Sequence, residues 1–313
     1  MAENDNIDQI GAFEIRQLNR HNEEVITKYF KHNGKIEGKY IVYTGVRPIE
    51  ISEYVNGKLH GQHKIFNREG KIKEIFTYDN GELHGKYICY EPQIQKLSMI
   101  ECNYVHNKKD GTFNEYWKNG RLFSTCTYVN NDITGKYIEY NENGSKRYIC
   151  NYFTNLKNGE CYVYHPTYTE INYYRDDNLI ESFINKNGRV HKKYEYEYKY
   201  TGSLKNSPST FIEYYENGNI FQIFKSKVSS IFCCKKLQTT QYYIVYYEDG
   251  KIHETGSAKF CKKEGKFKEY NNKGKLCKTG IYKNNTICGK FKKNNENGKI
   301  IEINTVYNRS ILQ

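Results

Sequence analysis

The chain has 313 residues, of which 37% are hydrophobic, 15% aromatic and 27% charged, and its formal net charge is +12. Three alanines beside 32 tyrosines leave no Leu–Val–Ala supply for a large globular core, while the aromatic content excludes a disordered chain. Tyr, Phe and Ile suit pleated, half-buried strands, and no run approaches the roughly 18 apolar residues of a membrane-spanning helix.

Taken in chain order, residues 1–33 lack the pattern that follows. Ile7, Ile10 and Phe13, with Ile15 and Leu18, could form a short helix or an extended cap over the first repeat, because stacked repeats need capped ends. The start, Met1-Ala2-Glu3-Asn4-Asp5, is acidic and leads into no apolar signal segment. The expectation is a cytoplasmic, non-secreted protein, in which the glycosylation matches Asn143-Gly144-Ser145 and Asn284-Asn285-Thr286 arise by chance.

From residue 34 to 307 one phrase returns: an aromatic, an Asn-Gly, a second Gly, a run of aromatic and β-branched residues, and a further turn Gly. Clear copies are Tyr54-Val55-Asn56-Gly57-Lys58-Leu59-His60-Gly61 and Tyr78-Asp79-Asn80-Gly81-Glu82-Leu83-His84-Gly85. Gly61, Gly85, Gly111, Gly135 and Gly159 stand 24, 26, 24 and 24 residues apart, and Gly265 to Gly289 is again 24. The turn glycines Gly120 and Gly144, then Gly250, Gly274 and Gly298, keep the step, and Tyr54, Tyr78, Tyr104, Tyr128 and Tyr152 mark the starts.

The glycine steps supply the positive φ of tight hairpin turns. Strand-length runs rich in Tyr, Ile, Phe and Thr lie between them. Each period is therefore a β-hairpin, marginal alone and stable only when stacked on its neighbours. The predicted fold is all-β: an elongated single-layer antiparallel sheet or solenoid of about eleven hairpins of ~24 residues. Irregular insertions are expected near 199–208 and 225–240, and a frayed tail at 308–313. Tyr137 and Tyr140, like Phe267 and Tyr270, are three apart; either the strand is bulged there or both faces carry aromatics.

Ten cysteines without a CxxC pair or zinc-ligand spacing give neither a disulfide framework nor a metal site. Cys102, Cys126 and Cys150 recur every 24 residues. Equivalent positions in successive hairpins lie two strands apart, roughly 9.6 Å, beyond the ~7 Å a disulfide spans. Neighbouring rungs of this series should stay unbridged, as small apolar positions.

The phrase Asn-Gly-Lys-Leu-His-Gly, followed by Gly135-Lys136-Tyr137-Ile138-Glu139-Tyr140-Asn141-Glu142-Asn143-Gly144, resembles the MORN-repeat variant, in the form shared with bacterial antitoxin-like repeat proteins. The resemblance covers roughly residues 34–300. It implies antiparallel hairpins stacked into a twisted sheet, with roles in protein contacts or at acidic lipids. Glu91 to Ser98 departs from the pattern, with Pro92 and no turn glycine. The Lys, Asn, Ile and Tyr enrichment is similar to that of AT-rich genomes, and large DNA viruses of protists carry similar repeat proteins, which implies a viral source.

Catalytic signatures are missing: there is no GxSxG, GxxxxGK[ST] or HExxH. His60 and His84 share one repeat phase, as do Glu139 and Glu269, which marks structural positions and not a converging pair. No cofactor, metal or catalytic residue is expected. Basic charge favours anionic partners, and Lys225, Lys227, Lys235 and Lys236 in the mid-chain insertion are candidate contacts. The other lysines read as a solvated face spread through nearly every repeat. Nine arginines against 39 lysines argue against nucleic acid. The expected function is a non-enzymatic scaffold for a protein partner. The alternatives are peripheral binding to acidic membranes and, from the resemblance alone, antitoxin-like neutralisation of a protein.

Overall fold

A computed structural model describes residues 11–90, 97–196, 209–228, 239–259, 262–294 and 299–304. These residues form 26 strands and no helix, all strand pairs being antiparallel. Two compact units divide the chain, Met1–Asn158 and Gly159–Gln313. Within each, successive strands pair in chain order as an open meander. The expected hairpin repeat is the fold.

Two kinds of turn alternate, each set by its residues. At one end of the hairpins two-residue turns place both residues at positive φ, as at Asn56-Gly57 (54° and 79°) and Asn130-Asn131 (52° and 77°). Such mirror-image turns match the twist of the flanking strands, and Asn and Gly tolerate them. At the other end stand five-residue turns, such as Asn141–Ser145. The Asn141 N–H donates to the Ser145 carbonyl and the Gly144 N–H to the Asn141 carbonyl. Gly144 takes φ +88°, closing a type I turn with a glycine bulge.

The three-residue spacing of the aromatics puts rings on both faces. The ladder slips by one residue beside Tyr140 and beside Tyr270, but the extra residues, Arg147 and Cys277, belong to the partner strands. Tyr137 shares its face with Glu139, to which its hydroxyl donates, and Tyr140 falls on the other, as Tyr270 does beside Lys266 and Lys268.

One face of each unit carries a row of rings separated by small residues. In the first unit Tyr87 opposes Cys102, Cys102 opposes Phe113, Phe113 opposes Cys126, and Tyr137 opposes Cys150. Tyr40 and Ser52 form an earlier pair of the same kind. In the second unit the row runs Tyr194, Phe211, Phe224, Tyr243, Gly256, Phe267, Gly280. Large rings beside small side chains interdigitate along this face, over which no second layer lies among the described residues. Ser52, Cys102, Cys126 and Cys150 are buried beneath their neighbours, as are Tyr243 and Phe267. Each ring so buried contributes about 1.5–3 kcal/mol.

This row explains the cysteine series, since each thiol is the small member between two aromatic strands. Cys102 and Cys126 are free, as their two-strand separation requires. Cys150 departs from the expectation of a fully reduced series: it is disulfide-bonded, and not to Cys126.

Successive repeats are also joined at the two-residue turns. The Asn131 N–H donates to the Lys109 carbonyl at 2.9 Å, and its side-chain Oδ1 accepts the Lys109 N–H at 2.7 Å. Asn107 clasps Leu83, Asn155 clasps Ile133 and Asn285 clasps Lys263 in the same way. Where glycine holds this position, as at Gly57 and Gly81, only the backbone bond remains.

Two boundary regions take definite form. Of the two forms expected before residue 33, residues 11–32 take the extended one. Gly11–Leu18 and Glu24–His32 are regular strands, the second paired to Lys35–Thr44, because Phe13, Tyr29 and Tyr40 extend the aromatic row. The insertion expected at 225–240 starts later, since Ile220–Val228 and Thr239–Tyr246 are paired strands. Residues 229–238, Pro92, Gly298, the insertion at 199–208 and the tail at 308–313 lie outside the described residues.

Candidate functional site

Positive charge is concentrated near the end of the chain. Residues 259–304 hold thirteen lysines against four glutamates and no arginine. Strand alternation sorts these lysines by face. In Gly265-Lys266-Phe267-Lys268-Glu269, Phe267 and Glu269 fall on the aromatic face, Lys266 and Lys268 on the other.

On the aromatic face Lys263 and Lys278 are neutralised, while Lys293, directly opposite Lys278, makes no ion pair among the described residues. Lys263 Nζ lies 3.0 Å from Glu254 and 5.0 and 5.2 Å from the ring centres of Tyr243 and Tyr282. Lys278 Nζ lies 3.4 Å from Glu269, over the rings of Phe267 and Phe291. Glu254 is 5% exposed and accepts the Tyr243 hydroxyl. Burial, then this carboxylate, pushes the Tyr243 hydroxyl far above the usual tyrosine range. The cluster is a satisfied, interlocked part of the core.

On the opposite face Thr255, Lys268, Thr279, Lys292 and Glu302 stand in direct register across five strands. With Lys266 and Lys290 they line an open groove of about 490 Å³. Lys290 pairs with Glu302 at 3.2 Å, while Lys266, Lys268 and Lys292 make no ion pair among the described residues. Three uncompensated cations beside threonine hydroxyls form a surface for an anionic group.

The residues singled out from sequence meet this site only in part. Lys225 is exposed on the same face. It opposes Tyr242, which opposes the groove residue Ser257. Lys227 belongs to the strand Ile220–Val228, and Lys235 and Lys236 lie outside the described residues. Gly57, Gly61, Gly81, Gly85, Gly111, Gly120, Gly135, Gly144, Gly159, Gly250, Gly265, Gly274 and Gly289 all take positive φ. The His60 and His84 N–H groups donate to the Glu53 and Thr77 carbonyls, binding the hairpin ends to the preceding strands. Lys266, Lys268, Lys290 and Lys292 were missed because lysine looks evenly spread. A windowed charge count, read with the two-residue alternation of Lys against Phe and Glu, finds them.

Burial pushes the Cys102 and Cys126 thiols up to about 11, so both are protonated at neutral pH and poor nucleophiles. Among the described residues no three His, Cys, Asp or Glu side chains converge as a metal site.

The MORN repeat variant model matches this sequence at residues 59–80, 109–130, 133–153 and 263–284. The stretches 59–80, 109–130 and 133–153 each run from just past one two-residue turn to the next or close to it, and matches fall in both units. No curated protein matches the sequence. Among solved structures the chain is similar to the crystal structure of TarM, at 14% identity over 49% of this chain and 20% of that one, TM-score 0.13. It is similar to TcdB2-TccC3-TEV, at 9% identity over 89% and 18%, TM-score 0.19. It is also similar to a Tc holotoxin pore of Photorhabdus luminescens with mutated TccC3, at 11% over 95% and 19%, TM-score 0.18. The chain spans about a fifth of the length of each, and superpositions this loose carry no argument about function.

Proposed function

We propose that this chain is a non-enzymatic binding scaffold whose partner is a protein with an acidic surface, held against the lysine face of the C-terminal hairpins. The observation behind the proposal is the contrast between two faces of the same strands. Lys263 and Lys278 are neutralised on one, and on the other Glu302 pairs with Lys290 while Lys266, Lys268 and Lys292 make no ion pair among the described residues. Stability gives no reason for uncompensated cations in adjacent rows, whereas recognition of an anionic surface does. The hairpin stack holds the lysines at fixed spacing, which limits the entropy lost on binding.

The same lysines support a second reading, adsorption to an anionic membrane surface, where each basic residue contributes about 1 kcal/mol. Affinity capture compared between the native chain and a Lys266→Gln/Lys268→Gln/Lys290→Gln/Lys292→Gln variant separates the two when run beside sedimentation with vesicles containing phosphatidylserine. A protein retained by the native chain and lost by the variant, with no vesicle binding at low salt, supports the scaffold. Vesicle binding that disappears at high salt, with no such protein, supports the membrane reading. Equal behaviour of native and variant chains in both assays removes the groove from either role.

A further inference from the structure

Among the described residues the strand Gly11–Leu18 is an edge, its backbone paired only with Glu24–His32. Natural edges are usually blunted by proline, a bulge, shortness or charged side chains. This one has eight residues in unbroken register and no proline, and its two charges, Glu14 and Arg16, are of opposite sign and pair with each other. Phe13, Ile15 and Leu18 remain 43%, 47% and 68% exposed.

We infer that this edge seats a second copy of the same strand, antiparallel, across a two-fold axis through Ile15. The axis follows from geometry. A two-fold normal to the sheet keeps every side chain on its own face, and directly opposed residues share a face. Only axes passing through a residue satisfy both conditions. Two of these overlap the strand with its copy about equally. An axis through Glu14 sets that carboxylate against the partner's Glu14. An axis through Ile15 sets Glu14 opposite the partner's Arg16, and by symmetry Arg16 opposite the partner's Glu14. It also sets Ile15 against the partner's Ile15 and Ala12 against the partner's Leu18. Charge and apolar pairing agree on one register.

Within the chain Arg16 already holds Glu14 at 2.7 Å and Glu24 at 3.2 Å. Its guanidinium has five donors, so it can take a further carboxylate. Phe13 stacks on Tyr29 with ring centres 5.4 Å apart and planes within 10°, which brings the aromatic row to the edge itself. In the paired strand it gains the partner's Ile15 as a diagonal neighbour on the same face. The last described strand, Ile300–Asn304, is also exposed at Ile300 and Ile301. Full overlap with its own copy sets Glu302 against the partner's Glu302, so the pairing belongs to the first strand and closes as a dimer.

The full chain tests this by light scattering after size exclusion. The expected result is a concentration-dependent species near twice 37.1 kDa. Arg16→Glu opposes two pairs of like charges and should weaken the dimer about tenfold. The exchange Glu14→Arg/Arg16→Glu should restore it, although neither residue keeps its original neighbours. Circular dichroism confirms that each variant folds. Ile15→Cys should cross-link two copies through the introduced thiol, which lies on the axis within disulfide reach, and Gln17→Cys should not. A chain that stays monomeric at about 100 µM overturns the inference. So does a dimer that Arg16→Glu leaves unchanged, or one that Gln17→Cys cross-links as readily as Ile15→Cys.

Discussion

Tyr128 lies directly across the ladder from Gly111, and the same opposition of tyrosine and glycine recurs at Gly38–Tyr54, Gly61–Tyr78, Gly85–Tyr104, Gly135–Tyr152, Gly159–Tyr174 and Gly265–Tyr282. Gly111 takes φ +99°, where the strand breaks from regular extension and the hairpin end turns toward the preceding repeat. The ring opposite is not isolated: Phe113 lies 5.4 Å away and Lys109 Nζ 5.2 Å from its centre. The period is therefore a coupled pair, a residue that permits the bend and a ring that packs beside it.

Two classes of glycine follow, and alanine separates them. Gly135 takes φ +81° with nothing within 4 Å of an added β-carbon, so Gly135→Ala should cost about 1–2 kcal/mol from backbone strain alone. Gly280 has no positive φ, but a β-carbon there would fall 2.8 Å from Phe267 Cε1 and from Phe291 Cβ. Gly280→Ala should cost about 1–3 kcal/mol through overpacking. Adding Phe267→Leu should return part of the loss at Gly280 and none at Gly135. Urea midpoints of the four variants check this; recovery at both sites would refute the distinction.

The asparagine clasp makes a separable prediction. Asn131→Gly keeps the positive φ and the backbone bond to Lys109 but loses the Oδ1 acceptor, so it should cost about 0.5–1.5 kcal/mol. Asn131→Ala adds strain at φ +77° and should cost about 1–2 kcal/mol more. Hydrogen exchange at the Lys109 amide should quicken in both. An unchanged exchange rate in Asn131→Gly would show that the side chain does not join the repeats.

How much of this was legible in the sequence depends on the range of the interaction. Asn56-Gly57 and the five-residue glycine turns announce themselves because turn conformation is decided by adjacent residues. The identity of the small partner in the aromatic row did not, because it is chosen across strands. Cys102 and Cys126 serve in one unit and Gly256 and Gly280 in the other, and only register shows that they do the same work. The strand Gly11–Leu18 lacked the repeat phrase, and its place in the sheet comes from Phe13 meeting Tyr29. The lysine groove was hidden for a similar reason. Lys266 and Lys263 look alike in a composition count, and strand alternation alone assigns them to opposite faces.

The free cysteines predict a pH response. Folded Cys102 and Cys126 have thiols raised to about 11 by burial, above the ordinary value of 9.0. A thiol raised on folding favours the protonated form in the native state. Its contribution is complete below pH 9 and is lost as pH rises through about 11. Stability should therefore fall over that interval, and Cys102→Ala/Cys126→Ala should flatten the fall even though it lowers stability at pH 7. At pH 8 a maleimide should label Cys277 and Cys288 before Cys102 and Cys126, as peptide mass spectrometry reads directly. Equal labelling would mean that the aromatic row does not shield its thiols.

Lys263 and Lys268 belong to one strand, yet glutamine should affect them in opposite ways. Lys263→Gln removes the cation beside Glu254, a carboxylate only 5% exposed, and leaves two tyrosine rings without their charged neighbour. Truncating one partner of such a pair costs about 1–3 kcal/mol, so the urea midpoint should drop. Binding to a polyglutamate probe should hold as long as the chain is folded. Lys268→Gln removes a cation with no carboxylate partner among the described residues, so stability should move by less than about 0.5 kcal/mol. Affinity for the same probe should fall about threefold at low salt, as expected for one lost surface charge pair. Raising the salt should erase the difference between Lys268→Gln and the native chain, because exposed charges are screened. It should leave the stability loss in Lys263→Gln largely in place, because a buried pair is screened far less. If Lys268→Gln instead lowered stability and spared binding, the lysine face would be a structural surface and the groove would bind nothing.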